Sequence, residues 1–260
     1  MAERLRFPID TGMVIICSDG HYWPGPAPTA HRALCHFAKK LKPAAVIFNG
    51  DAFDGATAGR HPRINWEKRP ALVDELHACQ ERMRELEVAA RKSELFWTLG
   101  NHDARFETYI ANKLPEYELV KGVHLKDHFS PRWRPCWSVV VGPNTRALSP
   151  NHIVVKHRYK GGLHASTTNL RDSGTSMATG HTHALEVRAV SDYTGTKFGI
   201  NTGMLADPQG EQFEYLEDVP RNWRAGFVVC TYSNGKLLWP EIVAVVDKTN
   251  VSWRGQLVTV

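Results

Sequence analysis

The chain has 260 residues, of which 42% are hydrophobic and 23% are charged, and its formal net charge is +5. This composition is ordinary for a globular protein, and the length is sufficient for one large domain, or two small ones, with a substantial buried core. No apolar run reaches membrane-spanning length, and the N-terminus lacks the apolar core of a signal peptide. The sequence therefore predicts a cytoplasmic protein without a membrane partner.

The cysteines favour the same location. The five thiols are odd in number and widely scattered along the chain, and no CxxC pair is present. This pattern argues against a disulfide framework and against a zinc site made of thiolates. We therefore expect free cysteines, mostly buried, in a reducing compartment.

The first half of the chain alternates between strand and helix patterns. The elements predicted in chain order are a strand at Met13–Cys17, a helix at Thr29–Lys42, a strand at Ala44–Phe48, a helix at Lys68–Lys92 and a strand at Leu95–Leu99. Strands that alternate with helices in this way are typical of βαβ units with parallel strands.

The second half is rich in short β-like segments. These lie at Trp137–Val141, Ile153–Val155, Leu185–Val190, Phe198–Asn201, Phe227–Tyr232 and Glu241–Val246, with one helix-like exception at Gly161–Leu170. We find no internal repeat or Gly/Ser-rich linker, so residues 1–260 are predicted to form a single domain. The pattern favours an α/β class with two packed sheets and helices outside.

Polar side chains follow five of the strand-like segments. In chain order they are Asp19 and His21, Asp51 and Asp54, Asn101 and His102, His157, and finally His181 and His183. In open α/β sheets, ligands bind beyond the carboxyl ends of the strands, so these five strand ends are expected to converge on one site.

The chemistry of the donors points to metal ions. Seven carboxylate, imidazole and amide side chains are candidate metal ligands: Asp19, His21, Asp51, Asn101, His157, His181 and His183. They include no sulfur and are too many for one tetrahedral zinc. The set suits two five- or six-coordinate divalent ions such as Mn, Fe or Zn.

The motifs that carry these residues also occur together in a known family. In chain order they read DGH at Asp19–His21, GDAFD at Gly50–Asp54, GNHD at Gly100–Asp103, a later strand-end histidine, and GHTH at Gly180–His183. Over residues 13–201 the chain resembles the calcineurin-like metallophosphoesterase family. The resemblance implies a four-layer αββα sandwich of two mostly mixed β-sheets flanked by helices. It also implies a dinuclear metal centre that hydrolyses phosphomonoesters or phosphodiesters.

The resemblance also implies a role for each site residue. Asp19, His21 and His183 would hold one ion, Asp51 would bridge both, and Asn101, His157 and His181 would hold the second. His102 would lie over the phosphate as a catalytic residue that is not a ligand, and Asp54 would pair with it. A carboxylate partner of this kind fixes the tautomer of an imidazole.

Two assignments have neighbours that compete with them. His152 and His164 flank His157 in the sequence, and His157 is favoured because it stands at the end of a strand, whereas His152 precedes it. Asp103 directly follows His102, and we expect it to cap the helix that comes next rather than to bind metal.

The substrate is the least specified part of the prediction. Arg158, Lys160 and Arg60 lie close to proposed ligands in the sequence and are the candidates for substrate binding. Positive net charge and an isoelectric point near 9.0 fit an anionic partner. We therefore favour a metal-dependent phosphodiesterase acting on a small or nucleotide-type substrate, with nucleic acid or a nucleotide as the partner and no obligate protein partner.

Three other functions are the alternatives. They are a phosphomonoesterase, a nuclease, and a non-catalytic binding scaffold of the same fold. The GDxxDRG form typical of protein serine/threonine phosphatases is absent, because Gly55 and Ala56 follow Asp54. The segment after Asp207 is either a loop over the site or a connection to the last strands.

Overall fold

Two β-sheets pack face to face between helices. The computed structural model describes residues 3–58, 66 and 68–260. The strands are β1 Arg4–Pro8, β2 Gly12–Cys17, β3 Ala45–Phe48, β4 Glu94–Thr98, β5 Trp133–Cys136, β6 Ser138–Gly142, β7 Ile153–Val155, β8 Ser176–Thr179, β9 Leu185–Asp192, β10 Gly195–Thr202, β11 Gly226–Ser233, β12 Lys236–Leu237, β13 Glu241–Val245, β14 Asn250–Trp253 and β15 Gln256–Thr259.

Both sheets are mixed. The larger sheet has the order β15-β14-β13-β11-β2-β3-β4-β5, with β12 beside β11, and its strands β2 to β5 run parallel. The smaller sheet has the order β1-β6-β7-β8-β10-β9, in which β7, β8 and β10 run parallel. Parallel neighbours bring their carboxyl ends to the same edge of a sheet, which is where the candidate ligands follow in the sequence.

The helices form the outer layers. They are α1 Thr29–Leu41, α2 Leu72–Ala89, α3 Arg105–Lys113 and α4 Ala165–Ser173. Leu34 and Phe37 of α1 and Leu86 of α2 are fully buried in one cluster with residues of the larger sheet. Helix α4 covers the smaller sheet, where it packs on β8, β9 and β10. The order of layers is therefore helix, sheet, sheet, helix, as the family resemblance implies.

Strand β2 shows how one segment serves two interfaces. Ile15 and Cys17 point into the cluster under the helices, whereas Val14 and Ile16 point into the cluster between the sheets. Successive side chains of a strand point to opposite faces, so a continuous apolar run is what a strand buried on both faces requires.

The predictions from the sequence hold for most elements. The α/β class, the parallel first strands and the β-rich second half are confirmed. The helix expected at Lys68–Lys92 is α2, which is shorter at both ends, and β1, β5, β14 and β15 were not predicted. All five cysteines are free, and all but the half-buried Cys35 are buried. Within the described residues, no helix is both long and apolar enough to cross a membrane.

The contact between α4 and β10 yields a test of the packing. A Cβ added at Gly199 of β10 would lie 2.1 Å from the carbonyl oxygen of Ser166 in α4. Because backbone must move to relieve this overlap, we expect Gly199→Ala to destabilise the fold by about 1–3 kcal/mol in urea unfolding. Gly161→Ala is the matched control, since nothing lies within 4 Å of its added Cβ. Equal unfolding midpoints for the two variants would contradict the described packing.

Candidate metal centre

The candidate ligands lie in the turns that leave the strands, and their backbone conformations are unusual. Five of these residues have positive φ angles, namely Asp19 (55°), His21 (37°), Asp51 (53°), His181 (66°) and His183 (56°). Residues other than glycine rarely adopt this region because it is strained, and such strain tends to occur at functional sites. Here it turns each side chain back toward the edge of the sheets immediately after the strand ends.

Glycines let the loops approach one another closely. A Cβ at Gly100 would lie 2.0 Å from Asp51 Oδ1, and a Cβ at Gly50 would lie 2.3 Å from His157 Nδ1. Any larger residue would therefore push a candidate ligand out of position. The glycines of the GDAFD and GNHD motifs are explained by this close approach.

The first group of donors comprises Asp19, His21 and His183. Asp19 Oδ1 lies 3.2 Å from His183 Nε2 and 3.8 Å from His21 Nε2, and the two imidazole nitrogens are 3.2 Å apart. All three side chains are buried. Three donor atoms that meet at these distances could hold one cation.

The second group comprises Asp51, His157 and His181, whose donor atoms lie within 4.8 Å of one another. His157 Nδ1 is 2.7 Å from the carbonyl oxygen of Asn49, so Nδ1 carries the proton and donates it. Its Nε2, 3.0 Å from Asp51 Oδ2, is thereby left as the nitrogen that can bind a metal. His181 is exposed, and its backbone N–H donates to the carboxylate of Asp19 in the first group.

The chemistry of the donor set fits divalent cations. The side-chain oxygen of Asn101 is buried and has no hydrogen-bond partner in the described part of the chain, and the buried Nε2 of His157 lies near Asp51 without a well-aligned hydrogen bond. Buried polar atoms are nearly always satisfied, and a cation would supply the missing interaction here. Asn101, the seventh predicted ligand, is therefore consistent with a role in the second group.

Two histidines of the donor groups have raised pKa values, because buried carboxylates surround them. Burial opposes the charged form of His21, but hydrogen bonds to Asp19 and Asp54 outweigh it and raise the pKa of His21 to about 10. Burial likewise lowers the pKa of His157, but the charge of Asp51 and its interaction with the ring outweigh burial and raise this pKa to about 9. A concentration of carboxylates strong enough to hold two imidazolium ions is suited to binding metal cations in their place.

Asp54 lies between two histidines. Its Oδ1 is 2.8 Å from His21 Nδ1 and 3.0 Å from His102 Nδ1. Burial raises the pKa of this carboxyl, but the hydrogen bonds from His102 and His21 prevail and hold it below the ordinary range. The sequence predicted the pairing with His102; the contact with His21 was not predicted. Asp54 therefore orients one candidate ligand as well as the candidate catalytic histidine.

Asp103 does not cap a helix, contrary to the expectation from the sequence. Helix α3 begins at Arg105 without a side-chain cap. The buried carboxylate of Asp103 instead accepts hydrogen bonds from the backbone N–H groups of Asp51, Phe53 and Gly100, at 2.9, 3.1 and 2.9 Å, and from the indole of Trp97 at 3.0 Å. Four buried donors converge on this side chain, and they outweigh a capping bond to an exposed helix end.

Arg105 is a site residue that the sequence analysis missed. One guanidinium nitrogen lies 3.1 Å from His102 Nε2, and another donates to the carbonyl oxygen of Asp54 at 3.2 Å. A guanidinium can only donate, so His102 Nε2 accepts from it and His102 Nδ1 carries the proton. The available signal was spacing, since Arg105 stands three residues after His102, where the chain enters a helix.

The remaining residues considered in the sequence analysis are His152, Arg158, Lys160 and Arg60. His152 bonds to Ser149 and Pro143, away from the cluster, so His157 is the histidine that reaches it. Arg158 and Lys160 are exposed, and Lys160 pairs with Asp172 of α4 rather than with a candidate ligand. Arg60 lies outside the described residues.

Comparison with known proteins gives one family match and one similar solved structure. A family model described as calcineurin-like phosphoesterase matches residues 12–185, well over half of the chain. A solved structure of wild-type Vps29 from Entamoeba histolytica, complexed with Zn²⁺, is similar over 95% of this chain and 98% of that one, at 14% identity and a TM-score of 0.47. Similarity of that strength supports no inference about the present chain. A search of curated proteins gives no match.

Asp103 provides a test of how the site is held together. In Asp103→Asn, an amide N–H₂ replaces one acceptor oxygen and faces buried N–H donors, so we expect a loss of about 2–4 kcal/mol in the free energy of unfolding of the metal-stripped protein. Asp127→Asn is the control, because Asp127 is an exposed carboxylate that also accepts a backbone N–H, that of Gly122. A wild-type unfolding midpoint for Asp103→Asn would contradict the role assigned to this carboxylate.

Proposed function

The chain belongs to the calcineurin-like phosphoesterase family, and from this premise we propose that it is a metal-dependent phosphodiesterase that acts on a small or nucleotide-type substrate. The observation that carries the proposal is the convergence of two donor groups, Asp19–His21–His183 and Asp51–His157–His181, beside the pair His102–Asp54. A closed structural metal site would not require a histidine–carboxylate pair next to the donors.

The proposal assigns the donors to two divalent ions. Asp19, His21 and His183 would hold the first ion, Asn101, His157 and His181 would hold the second, and Asp51 would be a ligand of both. When bound, two such ions polarise the phosphoryl oxygens and favour in-line attack by water. Manganese, iron and zinc all accept this mixture of carboxylate, imidazole and amide donors.

His102 supplies the proton that the leaving group needs. Its Nδ1 faces the carboxylate and the carbonyl oxygen of Asp54, at 3.0 and 2.8 Å. That arrangement fixes the orientation of the ring, and Nε2 is the atom directed away from Asp54. His102 Nε2 therefore donates to the departing ester oxygen, while Asp54 keeps the ring oriented.

Arg105 is proposed to bind the phosphate. It is half-buried, and its guanidinium already lies against His102 Nε2. When a substrate occupies the site, its phosphoryl oxygens are better acceptors for the guanidinium than a neutral imidazole is. Moving Arg105 onto the phosphate also frees His102 Nε2 for protonation, so substrate binding and proton supply are coupled. This role is better supported than those predicted for Arg158 and Lys160.

Metal content tests the assignment of the ligands. We expect wild-type protein reconstituted with Mn²⁺ to hold two ions per chain by elemental analysis after gel filtration. Asp51→Asn should lose both ions, because both depend on that carboxylate, whereas Asp127→Asn should retain both. Two ions in Asp51→Asn would contradict the bridging role of Asp51.

Hydrolysis tests the activity itself. The metal-stripped protein would be assayed with Mn²⁺, Zn²⁺ or Mg²⁺ on bis(p-nitrophenyl) phosphate and on p-nitrophenyl phosphate. We expect metal-dependent turnover that is faster on the diester. A dinucleotide such as thymidylyl-(3′→5′)-thymidine has an alkoxide leaving group that needs a proton, and on this substrate we expect a decrease of about 100-fold or more in His102→Ala with unchanged metal content. His77→Ala is the control, since His77 is exposed on helix α2.

The outcomes of this assay separate the alternatives. Faster turnover of the monoester would favour the phosphomonoesterase. No turnover with any metal, in protein that holds two ions, would contradict the proposed activity and favour a non-catalytic scaffold. Undiminished turnover of the dinucleotide by His102→Ala would contradict the proton-donor role alone.

A further inference from the structure

The chain between β10 and β11 reaches the candidate metal centre from the side. Residues 207–224, called here the 207–224 segment, contain a 3₁₀ helix at Glu211–Leu216. Phe213 of this helix is buried, and its ring lies 5.5 Å from the ring of His21 and 5.8 Å from that of His183, measured between centroids. The sequence left open whether the segment after Asp207 is a loop over the site or only a connection to the last strands. The contacts of Phe213 show that it lies against the site.

Trp223 at the other end of the segment makes the closest contact. Its ring centroid is 4.3 Å from that of His183 and 4.9 Å from that of Phe213. The backbone N–H of Arg224 donates to the carbonyl oxygen of His183 at 2.9 Å. The segment lies outside residues 12–185, the part of the chain that the family model matches.

An open cavity of about 500 Å³ borders these two rings. Phe213 and Trp223 line it together with four charged residues, namely Glu214, Glu217, Arg221 and Arg224. None of the four forms an ion pair with any residue that the structure describes. The volume is ample for a drug-sized organic group, and its lining combines aromatic faces with charged side chains that form no ion pair among the described residues.

Arg221 has the arrangement expected of a stacking residue. Its guanidinium carbon lies 4.7 Å from the ring centroid of Trp223. Its Nε is buried and has no hydrogen-bond partner among the described residues, while one terminal nitrogen donates to the carbonyl oxygen of Glu217 at 3.4 Å. A planar guanidinium held on an indole presents its other face to a second planar group.

We propose that this cavity binds the nucleoside of a nucleotide substrate, with the base stacked on Arg221 and Trp223 while its phosphate lies at the metal centre. A base offers a planar face for the guanidinium, and its ring N–H or amino groups suit the carboxylates of Glu214 and Glu217. A lipid chain would leave these four charges without partners. This inference rests on the proposed phosphodiesterase function and specifies the substrate class of the same site.

Two diesters with one chromogenic leaving group provide the kinetic test. Thymidine 5′-(p-nitrophenyl phosphate) and methyl p-nitrophenyl phosphate differ only in the nucleoside. We expect wild-type kcat/KM to be at least about 10-fold higher for the thymidine ester, the range expected for one stacked base, and Arg221→Ala to lower that ratio about 10-fold. Arg221→Lys keeps the charge but lacks the planar group, so it should lower the ratio as well.

Binding provides a readout that does not depend on turnover. Calorimetry on the metal-loaded protein would compare thymidine 5′-monophosphate with inorganic phosphate. We expect the nucleotide to bind about 10-fold more tightly, and Arg221→Ala to remove that advantage. Arg146→Ala is the matched control, since Arg146 is an exposed arginine of the loop after β6 and does not line the cavity.

The two readouts separate this proposal from the proposed function. A kcat/KM ratio near one between the two diesters, together with an affinity ratio near one between the two ligands, would overturn the nucleoside subsite. It would leave the proposed phosphodiesterase activity intact. Tight nucleotide binding that depends on Arg221, without hydrolysis of either diester, would support the subsite and contradict the phosphodiesterase. An equal effect of Arg146→Ala would overturn the assignment to this cavity.

Discussion

The site depends on one buried carboxylate, that of Asp103. It accepts the backbone N–H groups of Asp51, Phe53 and Gly100, so it joins the turn after β3 to the turn after β4. Burial and the nearby charge of Asp51 raise the pKa of Asp103 to about 6 against the effect of these hydrogen bonds. The fold tolerates this cost because the four donors would otherwise be buried without partners. The hydrogen bond from the Asp51 N–H to Asp103 holds this turn in its strained backbone conformation, with Asp51 Oδ2 facing His157.

The same arrangement makes the site suited to cations. Asp19, Asp51 and Asp54 are buried, and the protonated forms of His21 and His157 are what balance them in the metal-free protein. A buried charge without a partner is costly, so the cluster must hold either protons or metal ions. The left-handed turns, the close glycines and the convergent donors thus serve one electrostatic requirement.

Much of this organisation could be predicted from the sequence, and the limits of that prediction have physical causes. Period-two and helical patterns located the central strands and α1, and the donors were recognisable because carboxylates and imidazoles stood directly after apolar runs. Strand β1 was missed because its alternating RLRFP pattern is short and half exposed, and its partner β6 lies more than 100 residues away. Asp103 was misassigned because local sequence favours a cap, whereas the donors that it binds come from a distant loop. Arg105 and Trp223 belong to the site only through tertiary contacts, which no local pattern reveals.

We propose that the strand-end turns build one site for two ions with Asp51 between them. Anomalous diffraction from crystals grown with Mn²⁺ would locate these ions. We expect two anomalous peaks about 3.5–4 Å apart, one within bonding distance of Asp19, His21 and His183, the other of Asn101, His157 and His181, and both of Asp51. A single peak, or two peaks without Asp51 between them, would contradict it.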